Sequence, residues 1–194
     1  MMKSLRACLV MTGLLLFLCC VAYPAVVTAA SQLLFKGKAN GSLVTRNGAV
    51  VGSSLIGQTL SDDAAHPEYL WGRPSGASND ATLGVTYSSG SNYGPLNASL
   101  EDEVKARVEV LRATGVTGPI PVDLVTKSAS GLDPHVSLAA ADIQVPRVAK
   151  ARNLPEDAVR ALIRDNTEGQ TLGLLGEPRV NVLLVNLALD AKAP

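Results

Sequence analysis

Thiols are missing from most of this chain: its three cysteines, Cys8, Cys19 and Cys20, all fall in one N-terminal apolar run. The remainder therefore has no internal disulfide and no cysteine-based metal site. Inside the run the cysteines act as small hydrophobes. Acylation of Cys19 would need small residues before it, and Phe17-Leu18 stand there. Histidine is almost as scarce, with only His66 and His135. Asp133 and His135 supply two neighbouring ligands, whereas catalytic zinc normally has three from the protein. Pro134 between them marks a turn, and turns use Asp for their own hydrogen bonding. His66, before Pro67, is most simply a loop residue. A basic excess is missing too, with 17 Lys and Arg against 17 Asp and Glu, or 15 against 17 once Lys3 and Arg6 are set aside. Nucleic-acid binders show a basic stripe or a high pI, and that class is excluded. Neither Gly-x-Gly-x-x-Gly nor a Gly-Lys-Ser/Thr phosphate loop occurs. Gly52–Gly57 and Ser128–Gly131 both miss the Gly-x-Ser-x-Gly spacing of a strained nucleophile elbow. The residues by themselves support no enzyme.

What is present begins with Cys8–Ala30, 23 residues without a charged side chain. A secretory signal has a basic start, an apolar stretch of ~7–15 residues and a small-residue cleavage site. Lys3, Arg6 and Thr28-Ala29-Ala30-Ser31 resemble the two ends of such a signal. The apolar stretch is too long for it and matches the ~20 residues of a spanning helix. An uncleaved anchor over residues 8–30 is the preferred reading, with Pro24 as a tolerated kink. Residues 1–7 then form a short cytoplasmic tail, and residues 31–194 form one domain on the extracytoplasmic side. Long domains cross largely regardless of charge, so the basic tail decides the orientation. The second reading is a secreted or periplasmic binding protein or hydrolase with a cleaved signal.

The domain is expected to be α+β, since strands and helices mix without a regular βαβ repeat. Asn47-Gly48 between the apolar runs Ser42–Val44 and Ala49–Val51 predicts a hairpin. Residues 61–97 show no helical or strand period, yet hold Tyr69, Trp71, Tyr87 and Tyr93, four of the seven aromatics. A structureless connection of that length is usually a binding loop or disordered, and disordered segments are poor in aromatics. The rings either meet a partner or pin the loop to the core. Ser99 is expected to cap a helix over Leu100–Ala113 with the stripe Leu100, Val104, Val108 and Leu111, stopped by Gly115. A strand is expected at Val122–Thr126. Helices are expected at Leu138–Gln144 capped by Ser137, from Pro146 to Arg152, and from Pro155 to Arg164 with Val159, Leu162 and Ile163 buried. Val180–Leu189 reads as a strand. Arg147, Arg152, Arg160 and Arg164 read as solvated helix faces beside Glu156, Asp157 and Asp165. Ser89-Gly90-Ser91-Asn92 offers N–H groups and hydroxyls to an anion or sugar, and a Ser/Gly/Asn turn is the simpler reading.

Seven stretches remain: Ser54–Gln58, Tyr69–Ser75, Ser89–Asn92 with Gly94-Pro95, Asp123–Thr126, Ser130–His135, Gln144–Ala149 and Leu175–Leu183. Their order runs across almost the whole chain. Taken together they resemble a known family, the KdpC subunits of the bacterial Kdp potassium-transporting ATPase. The resemblance implies a single-pass accessory subunit of the bacterial inner membrane, non-catalytic itself. Its implied partners are a channel-like potassium-binding subunit and a P-type ATPase subunit, besides the lipid bilayer. No tightly bound cofactor is implied: ATP enters through the ATPase subunit, and potassium is transported by the complex. The family role includes stabilising the assembly and raising the ATP affinity of the ATPase subunit, with a Ser-Gly-Gly-like loop compared to the signature of ABC transporters. Here that loop places Ser89, Gly90, Ser91 and Asn92 at the nucleotide, with Ser89 where many relatives have a second Gly. A domain outside the cytoplasm does not meet cytoplasmic ATP directly. For the partner surface, the aromatic loop implicates Tyr69, Trp71, Arg73, Tyr87 and Tyr93, residue types enriched at interface hot spots, docking on the extracytoplasmic face of the channel-like subunit.

Overall fold

A computed structural model describes residues 2–58, 63–80 and 82–192, and divides them into an N-terminal unit up to Val51 and a second unit from Gly52. In the first unit, α1 (Met2–Phe17) runs through a π-helical turn at Leu18–Ala22 into α2 (Tyr23–Leu34). The π turn has a local cause. Pro24 has no N–H, and its ring would press on the carbonyl four residues back. Widening the turn relieves this, and the Tyr23 N–H reaches the Leu18 carbonyl five residues back. Among the described residues, Ser4–Leu34 is the one helix long and apolar enough to cross a membrane, at 31 residues. A short α3 (Lys36–Ala39) follows. Then come β1 (Leu43–Arg46) and β2 (Ala49–Ser53), paired as expected. Asn47 at φ 53° and Gly48 at φ 80° supply the two positive φ values that a type I′ turn requires.

The second unit is a mixed helix and strand domain, α+β as expected. The stretch read as lacking strands contains a small antiparallel hairpin, β3 (Ser78–Asp80) with β4 (Val85–Tyr87). Asp80 makes its turn by accepting from the Thr82 and Leu83 N–H groups at 2.8 and 3.1 Å. Three residues of that stretch, Ser61, Asp62 and Ala81, lie outside the described residues. In α4 (Ala98–Ala113) the cap is Asn97, not Ser99: the Asn97 carboxamide accepts the Ser99 N–H at 2.9 Å. Gly115, at φ 95°, closes the helix by donating to Arg112.

Val122–Thr126 is not a strand. Pro119 and Pro121 lead into it, and Val122–Leu124 forms a 3-10 turn that buries Leu124. The turn aims Asp123 at the next element, where its carboxylate accepts from the Ser137 N–H at 2.6 Å. Ser137 ends β5 (His135–Ser137) and caps α5 (Leu138–Asp142) by accepting the Ala140 N–H at 3.1 Å. Replacing Ser137 with Ala is expected to destabilise the domain by about 1 kcal/mol. A urea titration reads the effect, and an unshifted midpoint would rule it out.

Next are α6 (Val145–Arg152), ended by Asn153 at φ 52°, and α7 (Glu156–Asp165), with Pro155 one position before the helix and not inside it. Val159 and Ile163 are buried, and Leu162 packs half-buried beside them. β6 (Thr167–Glu168) and β7 (Arg179–Asn181) complete an antiparallel sheet of order β5-β7-β6. The expected terminal strand is three residues long and turns into α8 (Val182–Lys192). Asn181 makes the switch by accepting the Leu184 N–H at 3.2 Å as a helix cap. Leu, Ala and Val on nearly every side of α8 had hidden the helical period. The core joins Leu70, Trp71, Leu111 and Leu124 to Val136, Val148, Val180, Val185 and Leu189.

Candidate functional site

Residues Leu70 and Trp71 pass through the core outside any strand, and no strand pairs with them among the described residues. Two carboxamides take the place of one. Asn186 on α8 accepts the Leu70 N–H at 2.8 Å and donates to the Leu70 carbonyl at 3.0 Å. Gln144, at the start of α6, does the same for Trp71 at 2.8 and 3.1 Å. Each amide presents one donor and one acceptor side by side, so it satisfies both buried backbone groups at once. The Trp71 indole N–H donates to the His66 carbonyl at 3.0 Å.

Trp71 is only 1% exposed, so its ring belongs to the core and is not on the domain surface; of the two readings of the aromatic loop, pinning holds at this residue. Arg147 and Arg152 need a parallel correction, because they are not solvated. The Arg147 guanidinium stacks 3.8 Å from the Trp71 ring centre and donates to the Pro67 and Tyr69 carbonyls and to Gln144, at 2.7, 3.0 and 2.6 Å. Arg152 lies over Tyr69 at 4.8 Å, donates to the Glu68 carbonyl and pairs with Asp190, both at 2.7 Å. Planar, multi-donor recognition of this kind suits Arg and not Lys. Arg160 does lie on a helix face, paired with Glu156 and Asp142.

Arg73 pairs with Asp133 at 3.2 Å. Asp133 also accepts the His135 N–H at 3.0 Å, which is the turn role its place before Pro134 suggested. The His135 ring lies between carboxylates, Nδ1 3.5 Å from Asp133 and Nε2 3.6 Å from Glu168, and Glu168 pairs with Arg179 across the sheet at 2.7 Å. Tyr93 donates to Glu103 at 3.0 Å, and Lys127 reaches the same carboxylate at 2.8 Å. The Lys127 hydrogen bond, aided by Tyr93 and opposed by partial burial, holds Glu103 below the usual glutamate range. That contribution to stability is present above the unfolded glutamate pKa and fades as pH falls through the lowered value. Of the five aromatic and arginine positions expected to meet a partner, Tyr87 on β4 is the one that stands well out, at 50% exposed.

The Ser89–Asn92 loop is tied to two other loops by backbone contacts. Ser89 N–H and the Ser88 hydroxyl both donate to the Ser130 carbonyl, at 3.1 and 2.8 Å. A Cβ on Gly90 would lie 2.8 Å from the Ala129 carbonyl oxygen, and one on Gly76 would lie 2.9 Å from that of Ser89. Gly131, at φ 67°, would place its Cβ 2.6 Å from the Ala77 nitrogen and 2.7 Å from the Ser89 oxygen. Three glycines thus let three backbones touch, which is a packing reason for the glycine in this motif. Gln144, Asn186, Arg147 and Arg152 escaped sequence reasoning. The available signal was a pair of uncharged amides, Gln144 and Asn186, set in otherwise largely apolar stretches.

The comparisons bear on all of this together. The family described as KdpC, K+-transporting ATPase, c chain, matches residues 5–191. The potassium-transporting ATPase KdpC subunits of Burkholderia mallei (strain SAVP1) and Burkholderia pseudomallei (strain K96243) are each 53% identical over 193 residues, covering 98% of this chain and 97% of theirs. That of Burkholderia orbicola (strain MC0-3) is 58% identical over 173 residues, 88% of this chain and 87% of its own. With the match running through both the apolar helix and the domain, the chain belongs to the KdpC family, the c chain of the K+-transporting ATPase.

Proposed function

We propose that this chain is the accessory subunit of an ATP-driven potassium uptake complex, held in the bacterial inner membrane by its N-terminal helix. The observation that carries this is the family match over residues 5–191, which takes in helix and domain alike. The helix supports it physically. None of its apolar window is buried within the chain, and a helix of 31 residues is roughly 46 Å long, more than the ~30 Å hydrocarbon core. Residues 1–7 lie in the cytoplasm and the domain lies outside. The domain binds the channel-like and P-type ATPase subunits and stabilises their assembly. Hydrolysis of ATP belongs to the ATPase subunit, and any rise in its ATP affinity comes through the assembly and not through contact with Ser89–Asn92. Engagement of the Ser89 N–H by Ser130 supports that assignment. Tyr87 and the β3–β4 hairpin are the part of the aromatic loop that meets the partner.

The test is to express the tagged full chain in potassium-starved cells lacking their own copy. It should recover the other ATPase chains and restore growth at low potassium. Leu15→Arg, near the helix centre, carries an insertion cost of ~2.5–3.5 kcal/mol and should shed the protein from membranes. A wild-type chain found soluble and starting near Ser31 would instead support a secreted protein with a cleaved signal.

A further inference from the structure

Between β6 and β7, residues Gly169–Gly176 carry no charge and three leucines. Leu172 is 88% exposed, Leu174 83% and Leu175 62%. This segment is not slack. Thr171 and Leu175 exchange both backbone hydrogen bonds, at 2.8 and 3.0 Å, and the Gln170 carboxamide donates to the Gly176 carbonyl at 2.8 Å. The Leu174 N–H donates to the Thr171 carbonyl at 3.3 Å, closing a four-residue turn whose central residues, Leu172 and Gly173, have φ 57° and 72°. The same pair of positive φ values occurs at Asn47-Gly48, where the residues are those such a turn favours. A leucine in left-handed backbone is strained, and at 88% exposure it gains no burial in return. A local rule broken without compensation inside the chain points to a role outside it.

We propose that Leu172 and Leu174 form a preformed apolar knob that inserts into an apolar pocket on another protein chain of the K+-transporting ATPase. This rests on the reading of the chain as a subunit of that complex. The knob is braced before binding, so little ordering entropy opposes docking. Charge favours a protein pocket over lipid. Glu168 and Glu177 flank the knob, and the base beside them, Arg179, is held by Glu168, whereas segments that lie on anionic membranes place free Lys, Arg and Trp there.

The closing experiment uses the tagged full chain in potassium-starved cells. Leu172→Asn with Leu174→Gln keeps the turn, since Asn accepts left-handed backbone. It should leave the melting temperature unchanged or raised, since Asn relieves the strain at position 172, while cutting recovery of the other ATPase chains by roughly tenfold or more, as expected when two buried leucines are lost from an interface. A photoreactive residue at position 174 should cross-link to one of those chains, identified by mass. If wild type recovers the ATPase chains and the double variant recovers them equally, the knob is overturned while the subunit reading stands. Cross-linking only to lipid or to a second copy of this chain also overturns it. If wild type recovers none of them, both readings fall.

Discussion

Trp71→Ala is expected to lower the domain's stability by about 3–5 kcal/mol, the range for emptying a large aromatic site in a core. The ring is 1% exposed, stacked by Arg147 and tied through its indole N–H to His66. Its loss also loosens the segment that Gln144 and Asn186 clamp on either side. Urea melting of the full chain in detergent measures the change. Tyr87→Ala is the control, because surface substitutions usually stay within about 0.5 kcal/mol. It should leave melting unchanged and weaken recovery of the partner chains. A Trp71→Ala chain that melts normally would remove Trp71 from the core, and a Tyr87→Ala chain with full recovery would remove Tyr87 from the interface.

The second large effect belongs to Gly131→Ala, at about 2–5 kcal/mol. Left-handed backbone at φ 67° contributes roughly 1–2 kcal/mol. A Cβ placed 2.6 Å from the Ala77 nitrogen and 2.7 Å from the Ser89 oxygen adds overpacking of about 1–3 kcal/mol. Gly90→Ala has no positive φ to strain. Its added Cβ meets the Ala129 carbonyl oxygen at 2.8 Å, so about 1–3 kcal/mol is expected. The pair separates packing from nucleotide contact. If the loop holds the domain together, Gly131→Ala and Gly90→Ala both melt early, and the ATP dependence of assembled complex is altered only as assembly is lost. Normal melting of Gly90→Ala, with a raised ATP concentration for half-maximal hydrolysis, would return the loop to the nucleotide.

Local chemistry carried much of the reading. The charge-free run announced one apolar helix, Asn47-Gly48 announced a hairpin, and Ser137 announced a cap, because each depends on neighbours in sequence alone. The ordered motifs from Ser54 to Leu183 identified the family for the same reason. Readings that failed were those in which two local rules competed. At Val122–Thr126, β-branched residues suggested a strand, and Pro121 at its entry caps a 3-10 turn instead. In Val182–Lys192, apolar residues on all sides erased the period that separates helix from strand, and the side chain of Asn181 settled it.

Sequence alone therefore determined the helix that seeks an apolar surrounding, the α+β mixture that follows it and the family to which both belong, since composition and short-range pattern decide these. Which face each polar residue serves was decided only by the tertiary structure. Trp71 is a core residue because Gln144 and Arg147, more than seventy positions away, meet its backbone and ring. Gly90 and Gly131 are obligatory because distant carbonyls and an amide nitrogen approach them too closely for a Cβ. Leu172 stands out as misplaced because no distant residue covers it. Contacts between residues far apart in sequence have no period and no fixed spacing, so they leave no mark that can be read along the chain.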